Sequence, residues 1–198
     1  MRRSLLFSLA LCIAGAGLPS NVAAAGPPAV DARPSLSTAP GSLLSSYART
    51  LFDDALTARP ADRLFFPLPA YEQVKAISDP AADYTHRLLY GFHLDMAALH
   101  AHLRRSPTPV FLRALLNPTA LTWVEPGTCG NRLGYWHLPG LRLVYRVGTT
   151  VYSVAVVSMI SWRGRLYVIH LGSFIPTPPG VVAQPAVGPG YPWPAGGC

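Results

Sequence analysis

The stretch that decides the fold spans residues 141–171 and reads LRLVYRVGTTVYSVAVVSMISWRGRLYVIHL. Its side chains follow a two-residue period from Leu141 to Val147 and again from Tyr152 to Ile160, before a third apolar run, Leu166–Leu171. The turn-forming pairs between these runs are Gly148-Thr149 and Arg163-Gly164. This pattern predicts a three-stranded antiparallel meander. The middle strand is apolar on both faces, which is typical of a central, covered strand.

Upstream of the meander the pattern is first helical and then strand-like. Apolar residues recur every three or four positions in a run that begins at Gly41-Ser42 and ends at Arg59-Pro60. Asp79-Pro80 is a good helix start, and Gly91 is predicted to end that helix before a further short one begins at Leu94-Asp95. Two short strands are predicted at Val110–Leu116 and Ala120–Val124.

The predicted fold is therefore α+β, with N-terminal helices packed on a C-terminal curved antiparallel sheet of three to five strands. Over residues 41–174 this layout resembles the cystatin-like and nuclear-transport-factor-like folds, in which a helix lies in a bent sheet. The segments Gly134–Gly140 (GYWHLPG) and Ile160–Gly164 (ISWRG) are similar to those of uncharacterised exported proteins of GC-rich, actinobacterial-type bacteria. The resemblance implies no activity.

Both ends of the chain differ from this central domain. Met1-Arg2-Arg3, an apolar run and the small residues Ala23–Gly26 predict a signal peptide over 1–25, and hence a secreted or cell-envelope protein. A retained anchor is the alternative, but the run is shorter than the ~20 residues that a spanning helix needs. Residues 26–40 are predicted to be a flexible lead-in and residues 175–198 a disordered Pro/Gly-rich tail, leaving 41–174 as one domain.

Charge and motifs exclude several classes of function. The net charge is +7, but no Lys/Arg cluster is interleaved with aromatic residues, so nucleic acid is not an expected partner. Anionic envelope polymers or another exported protein are the partners that the charge and the predicted export favour. The sequence lacks G-x-S-x-G, H-E-x-x-H, phosphate-loop and dinucleotide motifs, and no cofactor is predicted.

Cysteine and histidine residues suggest two further features. Cys129 and Cys198 are predicted to form a disulfide within the chain, with a bond between two chains as the alternative. His86, His93 and His100 are spaced by seven, so an unbroken helix would place them on one face, where they could hold a metal ion. Because Gly91 is predicted to break that helix, no metal site is predicted.

The candidate site is the loop that begins at Glu125 and runs into the predicted sheet. His137 could act as an acid or base near neutral pH, with Glu125 orienting it. The candidate ligand-binding residues of this segment are Asn131, Arg132, Tyr135 and Trp136. The alternative is structural: Cys129 anchors the loop, the two aromatic residues cap the core, and His137 bonds to the backbone.

Three functions follow from these observations. The first is a non-enzymatic binding module for a small apolar ligand, a wall component or a protein. It is favoured because the sequence lacks catalytic motifs and a large fraction of its residues is apolar. The second is an enzyme in which a helix lies in a bent sheet, as in the cystatin-like and nuclear-transport-factor-like folds, and which uses His137 and Glu125. The third is a structural accessory whose proline-rich tail acts as a spacer.

Overall fold

The computed structural model describes residues 41–171 except Asn117, and the side chains of Gly41 and Ser42 are not described. The predicted signal peptide, the lead-in, the C-terminal tail and Cys198 lie outside the described residues. The interpretations that rest on them stay predictions.

The first helix, α1 (Gly41–Leu56), buries one face and leaves the other in water. Its buried residues recur at the predicted helical spacing and comprise Ala48, Leu51, Phe52, Asp54 and Ala55. After α1 the backbone turns at Ala58, whose φ is +53°, and Arg59-Pro60 follows. A 3₁₀ turn (Asp62–Leu64) and a short helix, α2 (Leu68–Val74), then carry the chain toward the sheet.

The helix predicted to begin at Asp79-Pro80 does begin there, because Asp79 Oδ1 accepts a hydrogen bond of 2.9 Å from the backbone N–H of Ala82. The predicted break at Gly91, however, is wrong. The helical segments α3 (Pro80–Asp83) and α4 (Tyr90–Leu103) are joined by a π-helical segment, Tyr84–Leu89, so residues 80–103 are helical throughout.

Packing explains why Gly91 does not end the helix. A glycine in a helix interior costs only about 1 kcal/mol relative to alanine. The residues of α4 that lie fully inside the core, Phe92, Leu99 and Leu103, are 0%, 1% and 0% exposed. Burying each of these side chains contributes roughly 1.5–3 kcal/mol, which outweighs the cost of the glycine.

The rest of the described chain forms a five-stranded antiparallel sheet, which confirms the α+β fold. Its strands are β1 (Val110–Leu115), β2 (Thr122–Val124), β3 (Tyr135–Val147), β4 (Thr150–Trp162) and β5 (Arg165–His170). The order is β1-β3-β4-β5, and β2 pairs with the same edge of β3 as β1, further toward the N-terminal end of β3. The predicted turns at Gly148-Thr149 and Arg163-Gly164 join β3 to β4 and β4 to β5.

The core lies between the helices and this sheet. The ring of Phe52 in α1 packs against Phe111 of β1 and Tyr145 of β3, with both pairs of ring centroids 5.5 Å apart. Every residue of β4 from Ser153 to Ile160 is buried, as the apolar character of both its faces predicted. Within residues 41–171, Asn117 apart, no helix combines the length and apolar character needed to span a membrane.

Candidate functional site

A cavity of about 540 Å³ opens between the end of α2, the π-helical segment and the half of the sheet that contains β2. Much of its wall is apolar or aromatic, from Phe66, Val74, Leu88, Ile160 and Ile169 among others. Its ionisable and hydroxyl side chains come from separate elements and include Lys75, Arg87, Glu125, His137, Ser158 and His170. Such a wall, mainly apolar with a few polar groups, is typical of small-molecule sites.

Strand alternation brings the sheet residues of the wall together. His137 of β3 is paired with Thr122 on one side and with Ile160 on the other, and all three line the cavity. Paired residues of an antiparallel sheet lie on the same face, and residues two apart share that face. The two-residue period that predicts the meander therefore also determines which side chains of β3 and β4 reach the cavity.

His137 is buried and is held by a neighbouring strand. Its Nε2 lies 3.0 Å from the hydroxyl oxygen of Ser158 in β4. Burial lowers the pKa of His137 below its ordinary value, so the imidazole is neutral at neutral pH. A neutral imidazole in a cavity wall can accept a proton or donate one hydrogen bond to a ligand.

Glu125 also lines the cavity, but it bonds to a different partner from the one predicted. Its Oε2 accepts a hydrogen bond of 2.9 Å from the indole N–H of Trp123. The imidazole of His137 is instead oriented by Ser158. The structure thus places the two candidate catalytic residues in one cavity and gives each a separate hydrogen-bond partner.

The four candidate ligand-binding residues divide into two groups. Tyr135 lines the cavity, whereas Trp136, Asn131 and Arg132 are outside the set of residues that line it. Trp136 packs edge-on against Trp123 at a centroid distance of 5.7 Å. Arg132 donates through Nε and a terminal nitrogen to the carbonyl oxygen of Lys75, at 2.9 and 2.7 Å. Because Trp123 and Lys75 line the cavity, these contacts hold part of its wall in place.

The loop before β3 is anchored to the end of α2. The backbone of Asn131 pairs with that of Lys75 as an isolated β-bridge, and the Asn131 side chain is buried. The Lys75 ammonium donates a hydrogen bond of 2.9 Å to the carbonyl oxygen of Cys129, which adopts φ +55°. The predicted bond of Cys129 to Cys198 involves a residue outside the described part of the chain and stays a prediction.

The wall contains basic residues that were not anticipated from the sequence, namely Lys75, Arg87 and His170. Burial, and then the nearby Arg87 guanidinium, lower the pKa of Lys75. Arg87 itself is paired with Asp83 through two contacts of 2.6 and 2.7 Å, and Asp83 also accepts a hydrogen bond from the Tyr71 hydroxyl. One signal was available in the sequence, since Lys75 is its only lysine.

His170, at the end of β5, is a strongly perturbed ionisable group of the wall. Burial, the charge of Arg87 and the proximity of His137 together lower its pKa from 6.5 to about 4, and burial is the largest of these causes. The cavity therefore contains two imidazoles that are neutral at neutral pH beside one ammonium group.

The evenly spaced histidines do not form a metal site. His93 Nε2 lies 2.8 Å from Asp62 Oδ1, and His100 Nδ1 lies 2.8 Å from the carbonyl oxygen of Ala55. The π-helical segment begins before His86 and ends before His93, so these two residues are not related by two regular turns. Among the described residues, no three His, Cys, Asp or Glu side chains are grouped so that they could hold a metal ion.

Comparison of the chain with protein-family models, with curated proteins and with solved structures finds no match. The site itself is therefore the basis for any functional assignment.

Proposed function

We propose that this protein is an exported, non-enzymatic binding domain that takes a small, mainly apolar ligand into the cavity. The observation that carries the proposal is the cavity of about 540 Å³ with apolar and aromatic walls. This volume lies within the range of small-molecule pockets, roughly 300–1,000 Å³. It favours a small ligand over a wall polymer or a folded protein, because neither fits as a whole into a cavity of this size.

Filling the cavity is expected to abolish binding of an apolar probe. Val124 of β2 lines the cavity and is paired with Tyr135, which lines it too, so Val124→Trp places an indole ring in the ligand space. We expect the native protein to bind the neutral fluorophore N-phenyl-1-naphthylamine and Val124→Trp to bind it at least tenfold more weakly, a loss of about 1.4 kcal/mol. Titration by fluorescence measures both.

The matched control is Val151→Trp, the same substitution at a strand residue that is 54% exposed and does not line the cavity. This variant should bind the probe as the native protein does. Equal binding by the native protein and Val124→Trp, or no saturable binding by the native protein, would refute the proposed function.

A second candidate function is acid–base catalysis by His137, which is the enzyme hypothesis drawn from the sequence. The specific observation in its favour is the 3.0 Å contact between His137 Nε2 and Ser158 Oγ in the cavity wall. A neutral imidazole there could act as a general base toward a water molecule that attacks a bound ester, with Glu125 at the same cavity.

This candidate predicts that the protein hydrolyses p-nitrophenyl esters of medium chain length and that His137→Gln lowers the rate at least a hundredfold. A general base typically contributes 10²–10⁴-fold, and glutamine keeps a hydrogen-bonding group near Ser158. The release of p-nitrophenol gives the rate. No turnover by the native protein, or the same turnover by His137→Gln, rules out catalysis by His137.

A further inference from the structure

We infer that the ligand is an amphipathic anion, whose negatively charged head group binds the ammonium of Lys75 while its apolar part fills the rest of the cavity. The inference rests on the proposed function, since it specifies the chemical class of the ligand for the same site.

Lys75 is held at the cavity wall with hydrogen-bonding capacity to spare. It follows directly on α2, and its side chain is fixed by the hydrogen bond of 2.9 Å from Nζ to the Cys129 carbonyl. An ammonium group has three N–H donors, and this bond uses one of them. Within residues 41–171, Asn117 excepted, Lys75 forms no ion pair.

The nearest acidic group does not offset this charge fully. Asp83 is near enough to Lys75 for each to shift the pKa of the other, but both of its oxygens are bonded to Arg87. Lys75 and Arg87 therefore place two positive charges beside one carboxylate at this end of the cavity. A partly buried charge without a matching partner is unfavourable, and an anionic ligand would supply that partner.

The remaining wall fits the rest of such a ligand. Glu125, the only carboxylate residue that lines the cavity, accepts a hydrogen bond from the indole N–H of Trp123 in β2. Apolar side chains, among them Phe66, Leu88 and Ile160, also line the cavity. Two positively charged side chains, Lys75 and Arg87, and one carboxylate line the cavity, which favours an anionic head group over a cationic one.

The test uses compounds with one alkyl chain and different head groups: decanoate, decyl phosphate, 1-decanol and decyltrimethylammonium. Each competes with N-phenyl-1-naphthylamine for the native protein at one pH and salt concentration. We expect at least one of the two anions to bind about tenfold more tightly than 1-decanol, and the cation to bind most weakly. The two anionic arms distinguish a carboxylate ligand from a phosphate ligand.

Replacing the charge should remove this preference. In Lys75→Met, which keeps most of the aliphatic stem, the ratio between the affinities for the better anion and for 1-decanol should fall to about one, and this ratio cancels any change that the variant makes to the binding of neutral compounds. The control Arg165→Met removes an exposed positive charge from β5, away from the cavity, and should keep the native ratio. A preference that survives Lys75→Met overturns the assignment to Lys75.

A second measurement avoids dependence on the folding of the variant. Because Lys75 is the only lysine of the sequence, acetylating the folded protein neutralises one side chain, and peptide mass spectrometry confirms it. The acetylated protein should bind the neutral probe and lose the preference for anions. If neutral and anionic compounds displace the probe equally from the native protein, this inference fails and the proposed function stands. If the native protein does not bind the probe, the proposed function fails.

Discussion

Gly134→Ala is expected to lower the free energy of unfolding by about 3 kcal/mol, at the upper end of the range for overpacking. A Cβ atom at this position would overlap Cζ2 of Trp123 and lie within 3 Å of two further atoms of the same ring. The indole cannot easily move away, because its N–H is bonded to Glu125 and its face meets the edge of Trp136. The added methyl group must therefore displace the Trp123 ring and with it part of the cavity wall.

Chemical denaturation measures this effect, and a second glycine provides the control. At Gly91, inside the helix, an added Cβ meets no atom within 4 Å, so Gly91→Ala should stabilise the protein by up to about 1 kcal/mol. When Gly134→Ala is made in a protein that already carries Trp123→Leu, it should lower the free energy of unfolding much less than it does in the native protein, because the clashing ring is gone. A change below about 0.5 kcal/mol for Gly134→Ala would show that the loop relaxes freely.

The second large effect is expected on acidification, where the free energy of unfolding should decrease as the pH falls from 6.5 to about 4. In the folded protein the pKa of His170 is lowered from 6.5 to about 4, mainly by burial. Between these values the unfolded chain binds a proton at this residue that the folded chain does not, so stability rises with pH across the window. The full contribution is on the order of 3 kcal/mol and is present above pH 6.5.

His137, whose pKa is lowered in the same direction, adds to this dependence. Replacing His170 by glutamine should make the dependence of stability on pH shallower in this window, as measured by urea denaturation at several pH values. The native protein, measured at the same pH values, is the reference. An unaltered slope in His170→Gln would mean that His170 is protonated equally in the folded and unfolded states.

Local patterns predicted the sheet and the first helix well, since both are set by periodic burial. The alternation from Leu141 to Leu171 indicated β3, β4 and β5 together with both turns. The same approach failed at Gly91, where a local preference of about 1 kcal/mol was outweighed by packing. Whether α3 and α4 join depends on Phe92 and Leu99 meeting the core, which a local sequence pattern does not contain.

The site was predicted only as far as it is contiguous in sequence. Glu125, Tyr135 and His137 belong to one segment and all line the cavity, because a strand and the loop before it remain together in any fold. Lys75, Ser158 and His170 come from three other elements, and only the pairing of the strands and the docking of α2 bring them to His137. Because these residues are far apart in the sequence, no local pattern indicated that they belong to one site.

The order of the elements has a consequence for biosynthesis. The Tyr47 hydroxyl of α1 accepts a hydrogen bond of 2.9 Å from the backbone N–H of Val168, and these two residues are 121 positions apart. A ribosome therefore releases the helices well before the strands that cover them, and the apolar faces of the helices stay exposed until β5 has been synthesised. Such a nascent chain stays unfolded for longer than one built from neighbouring contacts, and it must be kept from aggregating in the meantime.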